Sequence, residues 1–535
     1  MPDLPVMPPL EAAPAEPPAA PITPADLVLA YHRRTRHRFD AYARGPSTLD
    51  WDAQPAPFRH FGGTRRIRLP LVCAEACAAP PATPAAADLT ALGTLLHLSF
   101  GITAWKRLGP DRWAVRANPS SGNLHPVEAY VLVAGLPDLE DGLYHYLPDV
   151  HALELRAAHP RPFAAGPALA VGLTSVMWRE MWKYGERAFR YCQLDTGHAL
   201  ACLHYAAALL GWRVSDRPGL ASAALARVLG TDRDEDFPGR RPDVSREEVE
   251  LLACVGPADG LPVVTADALA EAADAARWQG VASEVDRHPM FRWPVVDEVA
   301  AASRRVSGVP VTPLPVAIPR PASAQHILQR RSAQRFDPAH VMPREDFVRL
   351  LDALRPVAGG RLGLALFIHR VDGLAPGVYL LARADWLRPQ PTRAGASALQ
   401  PVTGCPDLYC LSTSESVPLR RLARSLHCHQ DIAANACIAF GLLAQLEREV
   451  ADDPARYRDL LREAGFLGQV LYLEAEAMGL RGTGVGCYFD DPVHELVIAG
   501  QRDAHSLYHF TIGLPVDDGR IETGPAYPAT LEMPS

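Results

Sequence analysis

The chain contains no apolar run that approaches the roughly 18–20 residues needed to span a membrane. Its first residues also lack the basic start and the apolar centre of a secretory signal. They are rich in proline and alanine instead, which predicts a disordered tail over residues 1–24. Together these absences favour a cytoplasmic protein without a membrane partner.

Long basic runs are absent too, and the net charge of the chain is −8, which argues against nucleic acid as a partner. The ten cysteines form no CxxC pair. The cluster His427-Cys428-His429 is tempting as a metal site, but a tetrahedral site needs four ligands within reach. We therefore favour ordinary core or surface roles for these residues, and free thiols in a reducing compartment.

The length of 535 residues predicts more than one domain, since two domains of about 200 residues plus linkers are typical at this size. Hydrophobic residues make up 48% of the chain, enough for both halves to bury a core. Proline, valine and serine are frequent between 284 and 325, which indicates an extended linker. The expected domains are therefore 25–283 and 326–535.

An internal repeat relates the two halves. The segment 190–197, followed by Gly211, matches 458–465, followed by Gly479, with the same spacing. Apolar residues recur at helical spacing between the glycines, and the final glycine is typical of a helix C-terminus. We expect one long helix at the same place in each half.

A second match lies upstream, where Gly142-Leu143-Tyr144 corresponds to Gly377-Val378-Tyr379. Each glycine follows a β-like run, and each run follows a helical pattern. The predicted strands are 128–133 and 364–371, and the predicted helices are 88–100 and 344–354. This order of elements predicts an α+β fold in each half.

The stretch 116–130, RANPSSGNLHPVEAY, resembles the nitroreductase superfamily and, within it, the SagB/ThcOx-type dehydrogenases. The stretch 179–191 shows the same resemblance. In the second half, QRRSAQRF at 329–336 resembles the phosphate motif of the superfamily, with one extra residue between serine and arginine. Residues 479–486 resemble its flavin-edge loop.

The resemblance covers most of residues 88–256 and 325–515. It implies an FMN-dependent oxidoreductase with two fused nitroreductase-like domains, each a mainly antiparallel sheet flanked by helices. In this family FMN lies at a dimer interface: one subunit supplies the arginines and the glycine loop, and the other supplies the PSxxNxxP segment. Here both would belong to one chain, which implies an intrachain pseudo-dimer.

Each half retains motifs that the other has lost. Domain 2 has GGRLG at 359–363 where domain 1 has PSSGNLHP, and Ala451-Asp452 where domain 1 has Lys183-Tyr184. Conversely, domain 1 offers only 64–68 or 74–77 against the RRS motif, and 216–218 against the glycine loop. Random decay would more often break both sites, so we predict one composite FMN site per chain.

The candidate cofactor residues fall into three groups. Guanidinium groups suit the FMN phosphate, Ser and Asn side chains suit the polar edge of the flavin, and glycines allow close backbone approach, with an amide near the flavin N5. The residues are Arg330, Arg331, Ser332, Arg335 and Arg520; Pro119, Ser120, Ser121, Gly122, Asn123 and His125; and Gly484, Val485 and Gly486. Each group also has a purely structural explanation. The arginines could be the solvated start of a helix, residues 119–125 could be an ordinary β-turn, and the glycines could be required only for steric reasons where a strand begins.

Lys183 and Tyr184 are the catalytic candidates. A neighbouring ammonium is expected to lower the pKa of the phenol and favour the phenolate. The resemblance implies that this Lys-Tyr pair acts in azoline oxidation. The alternatives are a surface lysine beside a half-buried tyrosine, or a cationic segment, with Arg179, Arg187 and Arg190, that holds an anion.

Three functions remain open from the sequence. The first is an FMN-dependent dehydrogenase that acts on azoline or related C–N bonds in a small-molecule or modified-peptide substrate, with oxygen as one acceptor. The second is an NAD(P)H-dependent reductase of nitro or quinone compounds. The third is a non-enzymatic scaffold in a biosynthetic complex, which would bind no flavin. The Lys-Tyr pair favours the first function over the second.

Overall fold

The computed structural model describes most of the chain. The described residues are 22–72, 74, 77–216, 220–239, 241–257, 264–309, 313–355, 357–388, 399–497 and 504–527. The predicted tail at 1–24 therefore lies largely outside them, and the first helix begins at Pro24. Residues 217 and 218 and part of the candidate match at 74–77 also lie outside.

Helices of very different length flank the sheets. They are α1 (Pro24–Arg34), α2 (Leu89–Phe100), α3 (Met177–Tyr184), α4 (Ala188–Leu209), α5 (Ser222–Leu229), α6 (Pro242–Ser245), α7 (Ala266–Asp274), α8 (Pro294–Ala302), α9 (Ala324–Gln329), α10 (Arg344–Ala353), α11 (Ser416–Leu426), α12 (Asp431–Asn435), α13 (Leu446–Asp452), α14 (Arg456–Ala477) and α15 (Asp490–Val497). The helices α4 and α14 each have 22 residues. They are the two long helices that the repeat predicts.

The strands alternate with these helices. They are β1 (Phe61–Gly62), β2 (Arg66–Arg68), β3 (Ile102–Leu108), β4 (Asp111–Arg116), β5 (Val127–Ala134), β6 (Gly142–Leu147), β7 (Ala152–Ala158), β8 (Ala168–Ser175), β9 (Trp212–Asp216), β10 (Glu248–Pro257), β11 (Arg277–Trp278), β12 (Val281–Ala282), β13 (Gly363–Ile368), β14 (Gly377–Leu381), β15 (Gln400–Pro401), β16 (Leu408–Thr413), β17 (Ile438–Gln445), β18 (Arg481–Val485), β19 (Ala504–Gly513) and β20 (Glu522–Gly524). The predicted strands at 128–133 and 364–371 correspond to β5 and β13.

Two antiparallel sheets repeat one topology. The first has the order β7-β6-β5-β8-β10-β9, with β2 and β11 paired to β7. The second has the order β16-β14-β13-β17-β19-β18, with β15 beyond β16. Because each strand has the same neighbours in both halves, the chain contains one α+β unit twice, as predicted.

Local details repeat as well. Gly142 opens β6, and a Cβ atom there would lie 2.2 Å from the carbonyl oxygen of Ala157 in the neighbouring strand. Gly377 opens β14, and a Cβ atom there would lie 2.3 Å from the carbonyl oxygen of Ser412 in its neighbouring strand. The hydroxyl of Tyr144 donates to the carbonyl four residues earlier (2.8 Å), and that of Tyr379 does the same (2.7 Å). The motif match found in the sequence is therefore a match in packing.

The helices α4 and α14 pack against each other at two glycines. A Cβ atom at Gly197 would lie 2.2 Å from the carbonyl oxygen of Arg462, and one at Gly465 would lie 2.0 Å from that of Leu194. Only glycine lets the two backbones approach this closely. The repeated glycines of the sequence therefore mark the point where the two halves meet.

The two halves share their cores. Phe466 and Val470 of α14 belong to the apolar cluster that covers the first sheet. Tyr191 and Leu194 of α4 belong to the cluster that covers the second. Each long helix thus packs on the sheet of the opposite half, as expected for a dimer interface retained within one chain.

The segment 284–325 is not extended throughout, because it contains α8. Val296, Val299 and Ala300 of this helix are buried. Pro294 occupies the first turn of the helix, where a missing N–H costs nothing and the fixed φ is favourable. One of the prolines that suggested an extended linker, Pro294, therefore begins a helix instead.

A small third sheet brings the end of the chain back to the first half. Strand β20 pairs with β3 of the β3–β4 hairpin. The hydroxyl of Tyr527 accepts from the N–H of Ile102 (2.9 Å) and donates to the carbonyl of Pro148 (2.8 Å). The hairpin is thereby fixed next to the second half.

Candidate functional site

A cavity of about 870 Å³ lies between the two halves. The first half contributes the loop 118–125 and side chains from α3 and α4. The second half contributes residues 329–334 and 483–487 and the chain after β19. The hairpin residues Lys106 and Trp113 also line it. The structure thus brings together the loops that the sequence selected from opposite halves.

Most of the predicted site residues line this cavity. They are Pro119, Ser120, Ser121, Gly122, Asn123, His125, Tyr184, Arg330, Arg331, Ser332, Gly484, Val485 and Gly486. Lys183, Arg335 and Arg520 are not among the lining residues. The side chain of Arg520 is 78% exposed and pairs with Asp518 (2.6 Å), so it lies at the rim.

The loop 118–125 is held in a tight conformation. Gly122, Asn123 and His125 have φ of 60°, 61° and 54°. Non-glycine residues rarely adopt this left-handed region, so two such residues in one loop indicate local strain that the surroundings compensate. The N–H of His125 donates to the hydroxyl of Ser120 (2.8 Å), which closes the loop.

Asp195 of α4 anchors this loop from below. Its two carboxylate oxygens accept from the N–H of Ser121 (3.1 Å each), and one accepts from the Ser121 hydroxyl (3.0 Å). Burial raises the pKa of Asp195 to about 7, and hydrogen bonds from Ser120 and Ser121 oppose the rise. In the second half, Glu463 accepts from the N–H of Arg361 (3.2 Å) at the equivalent place. Asp195 lies in a segment that the sequence compared, but its role went unrecognised.

Asn118 faces the cavity beside the same loop. It is 2% exposed, and its Oδ1 atom has no hydrogen-bond partner among the described residues. An unsatisfied buried amide oxygen is costly unless a ligand completes its bonding. Asn118 was not among the site residues predicted from the sequence, although it directly precedes the motif.

The second half contributes two arginines to the cavity, the buried Arg330 and the partly buried Arg331. Arg330 donates to the carbonyl of Arg116 (2.8 Å), and its Nε has no partner among the described residues. Arg331 donates to the hydroxyl of Thr103 (3.1 Å). Burial, together with the charge of Arg330, lowers the pKa of Arg331 to about 10. An anion bound here would offset both effects.

Neighbouring tyrosines leave no room for a side chain at the two glycines of the 484–486 loop. A Cβ atom at Gly484 would lie 1.8 Å from the hydroxyl of Tyr508, and one at Gly486 would lie 2.3 Å from the ring of Tyr191. The N–H of Gly484 donates to the hydroxyl of Tyr472 (3.0 Å), which also bonds the Ser332 hydroxyl (2.8 Å). The Gly484 amide is therefore already engaged within the protein.

Lys183 and Tyr184 end α3 next to the loop. A Cβ atom at Gly122 would lie 2.6 Å from the Tyr184 hydroxyl and 3.0 Å from Lys183 Nζ, so both groups contact this turn. Lys183 Nζ also lies 5.2 Å from the centre of the Trp51 ring. Tyr184 thus lines the part of the cavity formed by the first half, and Lys183 lies behind it, against Gly122.

The expected phenolate is wrong. Burial raises the pKa of Tyr184 well above its ordinary value, and the nearby Glu180, Tyr191 and Asp195 raise it further. Burial also lowers the pKa of Lys183, which weakens the positive charge that was expected to lower the pKa of Tyr184. Desolvation outweighs the neighbouring ammonium here, so the phenol stays protonated.

Among the described residues, the matching part of the other half has a much smaller cavity. This cavity of about 30 Å³ is lined by Asp459 and Arg462, which match Tyr191 and Leu194 in the repeat. Arg458 donates to Glu248 (2.7 Å) and to Glu250 (3.0 Å). Buried ion pairs therefore lie at this place, in contrast to the larger cavity.

No helix in the described ranges is both long and apolar enough to cross a membrane. No cluster of three or more His, Cys, Asp or Glu suited to a metal ion is found in the same ranges. His427, from the cluster noted in the sequence, bonds to His509 (2.8 Å) and to the carbonyl of Ala423 (2.7 Å).

Comparisons with known proteins show similarity to nitroreductase-type proteins. No protein-family model matches the chain. A nitroreductase-type protein of Methanocaldococcus jannaschii is 27% identical over 134 residues, which are 23% of this chain and 64% of that protein. The solved structure of a nitroreductase-type protein from Anabaena variabilis has a TM-score of 0.67 and 21% identity. It is matched over 92% of this chain and 99% of its own.

The chain therefore has the fold of this nitroreductase-type protein.

Two relatives from Rhizobium leguminosarum bv. trifolii also match part of the chain. They are the trifolitoxin-processing proteins TfxF and TfxB, which are 30% and 31% identical over 24% and 22% of this chain. The chain covers 47% and 36% of their lengths, so less than two thirds of each curated relative is matched. The resemblance predicted from the sequence is confirmed to this extent: parts of the chain are similar to a nitroreductase-type protein and to two trifolitoxin-processing proteins.

Proposed function

We propose that this chain is an FMN-dependent oxidoreductase with one composite flavin site, acting as a SagB-type dehydrogenase on azoline or related C–N bonds of a peptide-derived substrate. One observation carries the proposal. One half supplies the cavity with the guanidinium groups of Arg330 and Arg331, and the other supplies the unsatisfied amide oxygen of Asn118 beside a strained polar loop. The phosphate of FMN needs cationic groups such as the arginines, and the polar edge of the flavin ring needs hydrogen-bonding groups such as the amide and the loop.

The cavity suits FMN in size and in chemistry. Its volume of about 870 Å³ lies within the usual range for ligand sites, roughly 300–1,000 Å³. Arg330, Arg331 and Ser332 would hold the phosphate, while Asn118 and the loop 120–123 would bond the polar edge of the ring. When bound, FMN supplies hydride transfer. Arg335 and Arg520 would act only at long range from the rim.

Lys183 and Tyr184 would manage the protons that accompany hydride transfer. Because burial lowers the pKa of Lys183, a larger share of the amine is neutral near physiological pH and can accept a proton. Because the pKa of Tyr184 is raised, its hydroxyl remains a hydrogen-bond donor. Lys183 is then the base, and Tyr184 orients the substrate.

The relatives favour a modified peptide as substrate, since two of them are named as trifolitoxin-processing proteins. The competing candidate is an NAD(P)H-dependent reductase of nitro or quinone compounds, which the names of other relatives suggest. A reductase of that kind has no need of a base and a phenol at the cavity wall. The domain bounds 25–283 and 326–535 and a cytoplasmic location remain part of this proposal.

The test is turnover of a thiazoline-containing peptide by the FMN-loaded protein with oxygen as acceptor. Lys183→Ala and Tyr184→Phe should each retain flavin and lower kcat by about 10²-fold or more, because each removes a proton-handling group. Asp452→Ala changes the equivalent exposed position in the second half and serves as the control, with unchanged kcat. Oxidation of NADPH with a nitro compound, but no azoline turnover, would favour the reductase instead.

A further inference from the structure

Two cysteines from distant parts of the second half, Cys428 and Cys487, lie side by side, and Cys487 lines the cavity. Cys428 follows α11 and has φ of 51°, in the left-handed region. Cys487 follows β18 and lines the cavity. The N–H of Phe489 donates to the carbonyl of Leu426 (2.8 Å), and the side chain of Gln430 donates to the carbonyl of Cys487 (3.0 Å). These two bonds fix the segments against each other on both sides of the cysteine pair.

The two thiols form part of a small hydrogen-bonded group. The thiol of Cys428 donates to the sulfur of Cys487, and the side chain of His37 bonds to the same sulfur. The N–H of Ala43 donates to His37 Nδ1 (3.0 Å), which leaves the other ring nitrogen for Cys487. Both cysteines are half-buried, so solvent and small molecules can reach them.

In this arrangement the two thiols differ in pKa. Hydrogen bonding from Cys428 and His37, against the effect of burial, lowers the pKa of Cys487 to about 5. The same hydrogen bond and burial raise the pKa of Cys428 far above its ordinary value. The charged and titratable groups around the pair are His37, Tyr42, Tyr184, Arg187, Tyr191 and Asp490. One sulfur is therefore an accessible thiolate, and its neighbour is a protonated thiol.

We propose that Cys487 and Cys428 form a thiol–disulfide redox site at the cavity wall, with Cys487 as the attacking sulfur, Cys428 as the resolving sulfur, and low-molecular-weight disulfides as reaction partners. A low-pKa, accessible cysteine beside a second thiol is the arrangement found in redox-active pairs. The site needs no flavin, so it stands independently of the proposed function.

The reaction is an exchange in two steps. The Cys487 thiolate attacks one sulfur of a small disulfide, forms a mixed disulfide, and releases one thiolate of the small molecule. The Cys428 thiol then loses its proton and attacks the Cys487 sulfur, which releases the second small thiol and leaves the Cys428–Cys487 disulfide. The protein dithiol is oxidised by two electrons, and the small disulfide is reduced to two thiols.

The first test uses the wild-type chain with oxidised glutathione at pH 7. Remaining thiols are alkylated, and the digested peptides are analysed by mass spectrometry. We expect a linked pair of peptides that carry Cys428 and Cys487, and its loss after treatment with reduced dithiothreitol. Failure to form this linked pair, with both cysteines recovered as alkylated thiols, would overturn the proposal.

The second test separates the two roles. Cys428→Ser should stop at a stable glutathione adduct on Cys487, whereas Cys487→Ser should leave Cys428 unmodified. The rate of iodoacetamide alkylation of Cys487 should change little between pH 8 and pH 6. The rate for free cysteine in the same buffer should fall by nearly tenfold per pH unit over that range, because its thiol pKa is about 8.5. An equal fall at Cys487 would contradict the assignment, and Cys410→Ser, at a half-buried cysteine of β16, serves as the folding-matched control.

Discussion

Burial determines what individual side chains can do in this cavity. Asp195 is 2% exposed and receives three hydrogen bonds from Ser121. These bonds favour the carboxylate, yet desolvation still raises its pKa to about 7. The group that positions the 118–125 loop therefore titrates near physiological pH, and the loop becomes sensitive to protonation.

The first prediction concerns the pH dependence of stability. Because the folded-state pKa of Asp195 lies above its unfolded value of about 3.9, its contribution to stability is complete below that value and declines as the pH rises through about 7. Asp195→Asn removes this titration and keeps an acceptor for the Ser121 N–H. Thermal unfolding between pH 5 and pH 8 should show wild type losing stability relative to the variant.

The matched control is Asp452→Asn at an exposed position of α13. Its unfolding curve should follow that of wild type at each pH. Parallel curves for wild type and Asp195→Asn across the same range would show that Asp195 does not titrate as described.

The sequence predicted which residues line the cavity more reliably than it predicted their ionisation. The motif at 119–126 and the RRS segment were found because residue types and their spacing can be read directly from the sequence. The state of Tyr184 was predicted wrongly, because Glu180, Asp195 and Tyr191 are brought around it only by the packing of α3 on α4. Asn118 was missed because an unsatisfied oxygen is visible only in three dimensions.

At the scale of elements, the crossing of α4 and α14 organises the molecule. A glycine inside a helix costs about 1 kcal/mol relative to alanine, so a repeated one indicates a packing requirement. Gly197 and Gly465 meet that requirement, since each backbone contacts the opposite helix. The crossing also positions Tyr191 and Asp195 at the cavity.

Gly197→Ala and Gly465→Ala should therefore each destabilise the protein. The added Cβ atom would lie 2.2 Å or 2.0 Å from a backbone oxygen, which no side-chain rotation can relieve. We expect a loss of about 3 kcal/mol in the free energy of unfolding for each variant, measured by chemical denaturation. Gly519→Ala, where nothing lies within 4 Å, should have little effect. Wild-type stability in both helix variants would disprove the close crossing.

The elements themselves were predictable to different degrees. The repeat located both long helices and the strands β5 and β13, because periodicity and glycine spacing are local signals. The sequence did not predict the sheet that joins β20 to the β3–β4 hairpin, since its pairs link Glu522 with Arg107 across most of the chain. The helix α8 was hidden by Pro294, which starts it.

At the scale of the whole molecule, the two halves have diverged at equivalent positions. Among the described residues, one position has a cavity of about 870 Å³, while the other has a cavity of about 30 Å³ next to ion pairs of Arg458 and Arg305. A fused chain can change one half without changing the other, which a homodimer cannot. The divergence accounts for motifs that are complementary between the halves.

A composite site predicts that distant substitutions have the same effect. Arg331→Ala in the second half and Asn123→Ala in the first should each weaken FMN binding, Arg331→Ala by about 10–100-fold because a charged hydrogen bond is lost. Fluorescence titration of the apoprotein with FMN measures both. Arg65→Ala, at an exposed ion pair with Glu140, is the control and should bind normally. Full affinity in either site variant would contradict a shared site.

The most direct test of the central claim is the amount of FMN released per chain from the purified, FMN-saturated protein, measured by its visible absorbance against protein concentration. One composite site predicts about one FMN per chain. Two per chain would show that the position with the smaller cavity also binds flavin, and none at saturating FMN would contradict the flavin site altogether.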